Sequence, residues 1–299
     1  MLEFKTLELS DIPALRPYFE MQSDRICDCS VVSVFMWRDF FETAYAVVND
    51  TLVMRVRSID GRIGFTCPLG KDINGTLELV KEYCKENDLR PEFYSVGESR
   101  VKYIEEVFGC IESDYDEDWM DYLYNADDHT NMQGKRFHKI KNRINRFKKL
   151  YSDYVFEKIT PDNIVAARAF YEGYSRHTDK ESDTFREEEQ KVFEVFEHYD
   201  EYGIFGALLR IEDKVIGMAM GEIVNDTLFV HIEKADVNYD GVYQVIVQEF
   251  AKMYAVGEVK FINREEDCGD EGLRRSKQSY RPVDMLKKYS VKAKCHKCS

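Results

Sequence analysis

Apolar residues follow two different periods along this chain. Between 203 and 234 they fall in three blocks, 203–211, 215–224 and 227–234, separated by the polar turns Glu212-Asp213-Lys214 and Asn225-Asp226. Short apolar runs joined by two- or three-residue polar turns predict an antiparallel meander. Helical spacing follows: Val245, Ile246, Phe250 and Met253 share one face of a helix predicted over 243–256. A strand over 259–263, a helix over 270–279 and an extended C-terminal segment complete this half. The N-terminal half carries a comparable meander over 45–48, 51–57 and 63–67, then a helix over 74–86.

The two halves also share residues. Phe4, Ile12, Ala14, Arg16 and Glu20 recur in register as Phe156, Ile164, Ala166, Arg168 and Glu172. Each copy reads as a short strand, a polar cap and an amphipathic helix, with Pro13 in the first turn of one and Thr160-Pro161-Asp162 capping the other. The chain is therefore read as two copies of one α/β (α+β) domain, 1–150 and 151–299. The order strand, helix, three antiparallel strands, helix, strand, helix, strand is the layout of the N-acetyltransferase-like (GNAT) fold. We expect tandem GNAT-like domains with mixed, mostly antiparallel sheets flanked by helices.

Composition narrows the function classes. A chain of 299 residues that is 44% hydrophobic has enough apolar surface for a sizeable core. Its 42 Lys+Arg against 56 Asp+Glu give a net charge of −14, which excludes a general nucleic-acid coat. No stretch reaches the ~20 apolar residues of a membrane span, and Met1-Leu-Glu-Phe-Lys5 lacks a signal-peptide layout. A cytoplasmic protein with reduced thiols is expected for the eight cysteines. Cys295-His-Lys-Cys298 has zinc-like spacing but no second pair, so no metal site is expected.

The charge is unevenly spread. Residues 112–128 hold eight acids and no Lys or Arg, whereas 135–149 hold eight cations and no acid. Phe137, Ile140, Ile144, Phe147 and Tyr151 form one apolar stripe on a helix over 134–150, with the cations on its other faces. Two readings stand: a solvated linker helix, or an anion-binding helix. In the second, Lys135, Arg136, Lys139, Lys141, Arg143 and Arg146 meet phosphates of RNA, a nucleotide or lipid head groups.

Three stretches carry a family resemblance. Gly134-Lys-Arg-Phe-His-Lys-Ile-Lys-Asn-Arg-Ile-Asn-Arg-Phe147, His231-Ile-Glu-Lys-Ala235 and the run from Ile262-Asn-Arg-Glu-Glu-Asp267 to Arg281-Pro282 resemble the family grouped with the C-terminal domain of phosphatidylglycerol lysyltransferases. More distantly, the chain is similar to the Fem ligases. The resemblance implies a tandem GNAT-like fold and aminoacyl transfer from aminoacyl-tRNA to a lipid head group or another small acceptor. It implies tRNA as a partner. This sequence lacks the membrane-spanning half of the lipid-modifying enzymes, a departure from those that act on phosphatidylglycerol; peripheral membrane contact stays open. Acyl-CoA is the other donor considered. Its pyrophosphate loop in this fold has the form Gln/Arg-x-x-Gly-x-Gly/Ala, and in Asn238-Tyr-Asp-Gly-Val-Tyr243 only Gly241 matches. A non-catalytic GNAT-like binding protein is the remaining alternative.

Acyl transfer to an amine needs a base, a cradle for the donor and a group that stabilises the oxyanion. On the strand over 227–234, Phe229, His231 and Glu233 share one face. Glu233 is the candidate base, with His231 as a second near neutral pH; the plainer reading is an ion pair from Glu233 to Arg264 or Arg274. Asn263 and Glu265 end the next strand and are candidates for holding an amine. Ser276-Lys-Gln-Ser-Tyr280 resembles the Phe-Lys-x-Gly-Phe pattern of the Fem ligases, which implies that Lys277 is a cation near the reacting ester. Arg274 and Arg275 would handle anionic groups, and Tyr280 reads as a core aromatic.

Overall fold

A computed structural model describes residues 2–176 and 183–294. His177 and the Cys295/Cys298 pair lie outside the described residues. The chain forms two compact units. One is Met1–Asp121 with Glu266–Gly269 and Met285–Ser299; the other is Tyr122–Glu265 with Asp270–Asp284. The sequence reading divides the chain at 150, whereas the second unit already begins at Tyr122 and includes the whole basic helix. The halves also exchange a strand. Asp121–Asn125 joins the sheet of the second unit, and Lys288–Ala293 inserts into that of the first, between Glu92–Gly97 and Ile111–Tyr115. Period-two patterning tells which face of a strand is apolar but not which strand it pairs with.

In the first unit the predicted meander is Ala44–Val48, Thr51–Arg57 and Ile63–Phe65. Asn49 and Asp50 take positive φ values of 50° and 53°, the conformation that a two-residue hairpin turn needs. The helix Ile73–Glu86 is capped by the Asp72 carboxylate, which accepts the Gly75 N–H. Val53, Phe65, Leu77, Val80, Phe93 and Ile104 form the core, and Val291 of the inserted strand completes it.

The second unit is built on a seven-stranded sheet. Its central strands are Phe205–Ile211, Lys214–Val224 and Thr227–Ala235, the meander predicted from the apolar blocks. Thr227–Ala235 pairs in parallel with Phe261–Asn263. The helix Val242–Tyr254 buries Val245, Ile246 and Phe250. The basic helix His138–Leu150 packs on it and buries Ile140, Ile144 and Phe147. Its apolar stripe therefore faces protein, not a membrane.

The ladder between the second and third meander strands shifts register between Met220 and Gly221. Met220 lies opposite Ile232 and Gly221 opposite Val230, so His231 is an extra residue without a cross-strand partner. This is a β-bulge, a device that re-aims a side chain. Gly221 makes it possible: a Cβ there would meet the Phe229 carbonyl oxygen at 2.1 Å. Gly221→Ala is expected to cost about 1–3 kcal/mol by overpacking, read as a fall in the denaturant midpoint. An unchanged midpoint would show that the bulge does not depend on the missing side chain.

Candidate active site

In the second unit the parallel pair ends at Phe229 and Asn263, and beyond these residues the two strands part. Strand ends that diverge leave a cleft that neither strand fills, and in open sheets such places take ligands. The side chains at this splay are set by two local features, the bulge at His231 and the turn after Asn263. Asn263 is fully buried, and its side-chain oxygen accepts the Glu265 N–H at 2.6 Å. This holds Glu265 in the left-handed region at φ 57°, a conformation uncommon for a residue with a side chain.

The turn brings Glu265 against His231. Nδ1 of His231 lies 2.8 Å from Glu265 Oε1, and Nε2 lies 3.1 Å from Glu222 Oε1. The imidazole and Glu222 side chains are each 2% exposed, and that of Glu265 is 26% exposed. Burial alone would discharge the ring, but hydrogen bonds to Glu222 and Glu265 outweigh it and raise the imidazole to about 9. His231 is thus an imidazolium that donates from both nitrogens at neutral pH. It has no lone pair for an incoming proton, so a base role there is set aside, and it acts as the clamp that holds Glu265.

This clamp makes stability depend on pH. The folded value lies above the ordinary 6.5, so the stabilisation is complete below 6.5 and is lost as pH rises through about 9. At about 1.4 kcal/mol for each tenfold gain in proton affinity on folding, the loss reaches roughly 3 kcal/mol. Melting curves from pH 6 to 10 should show it, and His231→Gln should flatten them over that window. A variant curve as steep as the wild type would assign the loss to other groups.

The second cluster is centred on Arg264. Its Nη2 donates to Glu233 Oε1 at 2.7 Å, with the two side chains 9% and 14% exposed. The guanidinium lies over the Tyr280 ring at 4.8 Å and the Tyr124 ring at 5.9 Å. Lys277 is also buried: Nζ donates to the Arg264 carbonyl at 2.5 Å and lies 5.7 Å from the centre of the Tyr122 ring. Glu233 is thus engaged by Arg264, and Lys277 is an internal strut of the same network, not a lysine on an open helix face. Tyr280, 1% exposed, is the core aromatic that the sequence implied.

The other candidates fall elsewhere. Arg274 faces Glu271 along its own helix at 3.9 Å, and Arg275 is exposed. Gly241 does not sit in an open cradle. A Cβ there would lie 2.8 Å from the Arg143 carbonyl, so Gly241 serves the close approach of its turn to the basic helix. On that helix Arg146 pairs with Asp240 at 3.0 Å and Lys148 with Glu249 at 2.6 Å; just before it, Arg136 pairs with Asp128 at 2.5 Å. Lys135, Lys139, Lys141 and Arg143 are exposed and have no carboxylate partner among the described residues.

Glu222 is the residue that sequence reasoning passed over. Its signal was a lone acid inside the apolar block 215–224, where an ionised group survives only with a partner. Lys234 was passed over as well. It bonds Glu188 at 2.7 Å, and Glu188 belongs to the helix Asp183–Glu197, which the meander does not announce.

Among the described residues no helix is long and apolar enough to cross a membrane. Comparison with known proteins agrees with the architecture. A conserved protein of unknown function from Bacteroides thetaiotaomicron is 29% identical and superposes with a TM-score of 0.92, covering 98% of this chain and 100% of that one. The C-terminal domain of a putative lysylphosphatidylglycerol synthetase from Agrobacterium fabrum superposes at 0.68 with 10% identity, covering 95% and 92%, a likeness of fold alone. An uncharacterised protein of Mycoplasmoides gallisepticum is 25% identical over 204 residues; the match spans 64% of this chain and 65% of that relative's length. The fold is α/β, with two mostly antiparallel sheets flanked by helices. The family described as phosphatidylglycerol lysyltransferase, C-terminal, matches residues 23–292, through both units, and the chain belongs to that family.

Proposed function

We propose that the chain is an aminoacyltransferase whose reaction takes place at the splay of the second unit, with an aminoacyl ester of tRNA as donor. The carrying observation is the pairing of two features in that unit. One is a strand splay lined by the partly exposed Glu265 and its His231 clamp. The other is the basic helix with the turn before it, which present Lys139, Lys141 and Arg143, and Lys135, without acidic partners among the described residues. In this reading Glu265 receives the ammonium of the donor or acceptor, Glu233 is the base, and Lys277 with Arg264 supplies positive charge behind the reacting ester. The basic helix meets donor phosphates. Acyl-CoA is the weaker donor, because the turn that would cradle a pyrophosphate is pressed on the Arg143 carbonyl. The acceptor is a small amine or a lipid head group, reached by peripheral contact.

The test compares binding of bulk charged tRNA at two salt concentrations with binding of acetyl-CoA. Reversal of Lys139, Lys141, Arg143 and Arg146 to Glu is expected to weaken tRNA binding by more than ~100-fold and to flatten its salt dependence. Acetyl-CoA binding without tRNA binding would replace this reading with an ordinary N-acyltransferase. Binding of neither would leave a GNAT-like binding protein. Glu265→Gln is the preferred activity probe. Glu265 reaches solvent, whereas removal of the ion-paired Glu233 or the buried Lys277 would mix loss of folding with loss of function.

A further inference from the structure

We propose that Glu222 is a positioning residue for Glu265 and acts through His231. It is the buried end of a carboxylate–imidazolium–carboxylate chain, and the one charge that chain leaves unbalanced is offered at Glu265 to a primary ammonium. The chain serves the transferase reading above and rests on the ammonium role of Glu265 in it. Glu222 stands opposite Phe229 in the ladder, and cross-strand partners share a face. The Phe229 ring lies within 7° of parallel to the imidazole, with ring centres 6.3 Å apart. Nε2 of His231 donates to Glu222 Oε1 at 3.1 Å, which fixes the ring so that Nδ1 donates to Glu265 Oε1 at 2.8 Å.

The charged groups around the ring are Glu222 from the second meander strand, Glu265 from the turn after Asn263 and, further along its own strand, Lys234. The Lys234 ammonium is bonded to Glu188 at 2.7 Å and lies 5.7 Å from the centre of the Tyr174 ring. Burial opposes its charge, but Glu188 outweighs burial, so this pair stays ionised and adds no net charge. Two carboxylates and one imidazolium remain. Glu222 is buried beyond the reach of a ligand, so the surplus negative charge is available at Glu265, which reaches solvent. Without Glu222 the imidazolium would cancel Glu265, and an incoming ammonium would meet a neutral pair. Burial also opposes the charge on His231, and the hydrogen bond to Glu222 is the strongest of the contacts that restore it.

The test uses the free protein, with nitrogen-15 NMR of His231 and methylammonium as the probe. In the wild type the ring should stay doubly protonated from pH 6 to 8, and methylammonium affinity should be flat over that range. Glu222→Gln keeps the shape and removes the charge. It is expected to lower the proton affinity of His231 by about 10- to 100-fold, the worth of one charge-assisted hydrogen bond. At pH 6, where the variant ring is still charged, methylammonium should bind about fivefold more weakly than to the wild type. By pH 8.5 that ring has discharged, and the gap should close. An unmoved titration overturns the proposal and leaves the transferase reading standing. A gap of equal size at both pH values also overturns it, since Glu222 then serves shape alone. A wild type that binds tRNA but not methylammonium removes the ammonium role of Glu265 and the proposal with it. If Glu222→Gln does not fold, Glu265→Gln decides: its ring should still be charged at pH 6.5, held by Glu222, and a neutral ring there overturns the proposal.

Discussion

Lys288→Met is expected to be the most destabilising single change in the first unit. The Lys288 ammonium is bonded to Asp28 Oδ2 at 2.7 Å, Asp121 Oδ1 at 2.7 Å and Glu266 Oε2 at 2.9 Å, with Cys27 Sγ at 3.1 Å. The lysine side chain is 6% exposed and Asp121 fully buried. One ammonium thus holds three carboxylates, and sulfur and oxygen ligands that would suit a metal ion are turned onto an internal cation instead. The imbalance is already felt. Burial, with Glu266 and Asp28 nearby, outweighs the attraction of Lys288 and pushes Asp121 up to about 7. Removal of one partner from a buried pair typically costs about 3–5 kcal/mol, and with three carboxylates left the loss belongs at the upper end. That is a large part of the ~5–15 kcal/mol of an ordinary folded chain.

The sign of the pH dependence is also fixed. Without the ammonium, Asp121 titrates further above its unfolded value, so stability is present below about pH 4 and lost as pH rises through the folded value. The deficit of Lys288→Met against wild type should therefore be larger at pH 8 than at pH 5.5 in urea titrations. A deficit of equal size at both would mean that lost packing of the lysine stem, not uncompensated charge, is what the substitution removes.

This cluster explains where sequence reading stops. The meander 203–234 and the helix Val242–Tyr254 were legible because each is a local pattern of apolar spacing. The buried stripe of the basic helix was legible for the same reason. Its direction was not, since a stripe fits protein or membrane equally until a partner helix is seen. Lys288 carried no signal at all. It stands beside Lys287 in an ordinary-looking pair, and its acids come from 28, 121 and 266, far apart in sequence. At the candidate site, His231 and Glu233 were found by strand alternation, but alternation presumes an unbroken ladder. The bulge at His231 breaks it, and with it the expectation that the two would share one role. Glu265 was found by position and then re-aimed by a positive φ that no side-chain pattern encodes.

Glu233→Gln is expected to cost about 3–5 kcal/mol, because it strands the Arg264 guanidinium among Tyr124, Tyr280 and His129 with no counter-charge. Arg264→Met strands Glu233 instead and should cost a comparable amount. The double variant removes both charges. Since no uncompensated charge is left, only a neutral amide beside an apolar side chain, it should recover most of the loss, and the two single effects should fall far short of adding. Additive losses, measured by urea unfolding, would show that the pair is not a coupled unit. The same double variant separates structure from chemistry. A base that takes a proton from the attacking amine cannot be replaced by an amide, whatever the stability. If Glu233 is that base, the double variant folds and transfers nothing. If it folds and still transfers, Glu233 and Arg264 only shape the wall of the cleft, and Glu265, reaching solvent and clamped by His231, is the carboxylate left to take the proton.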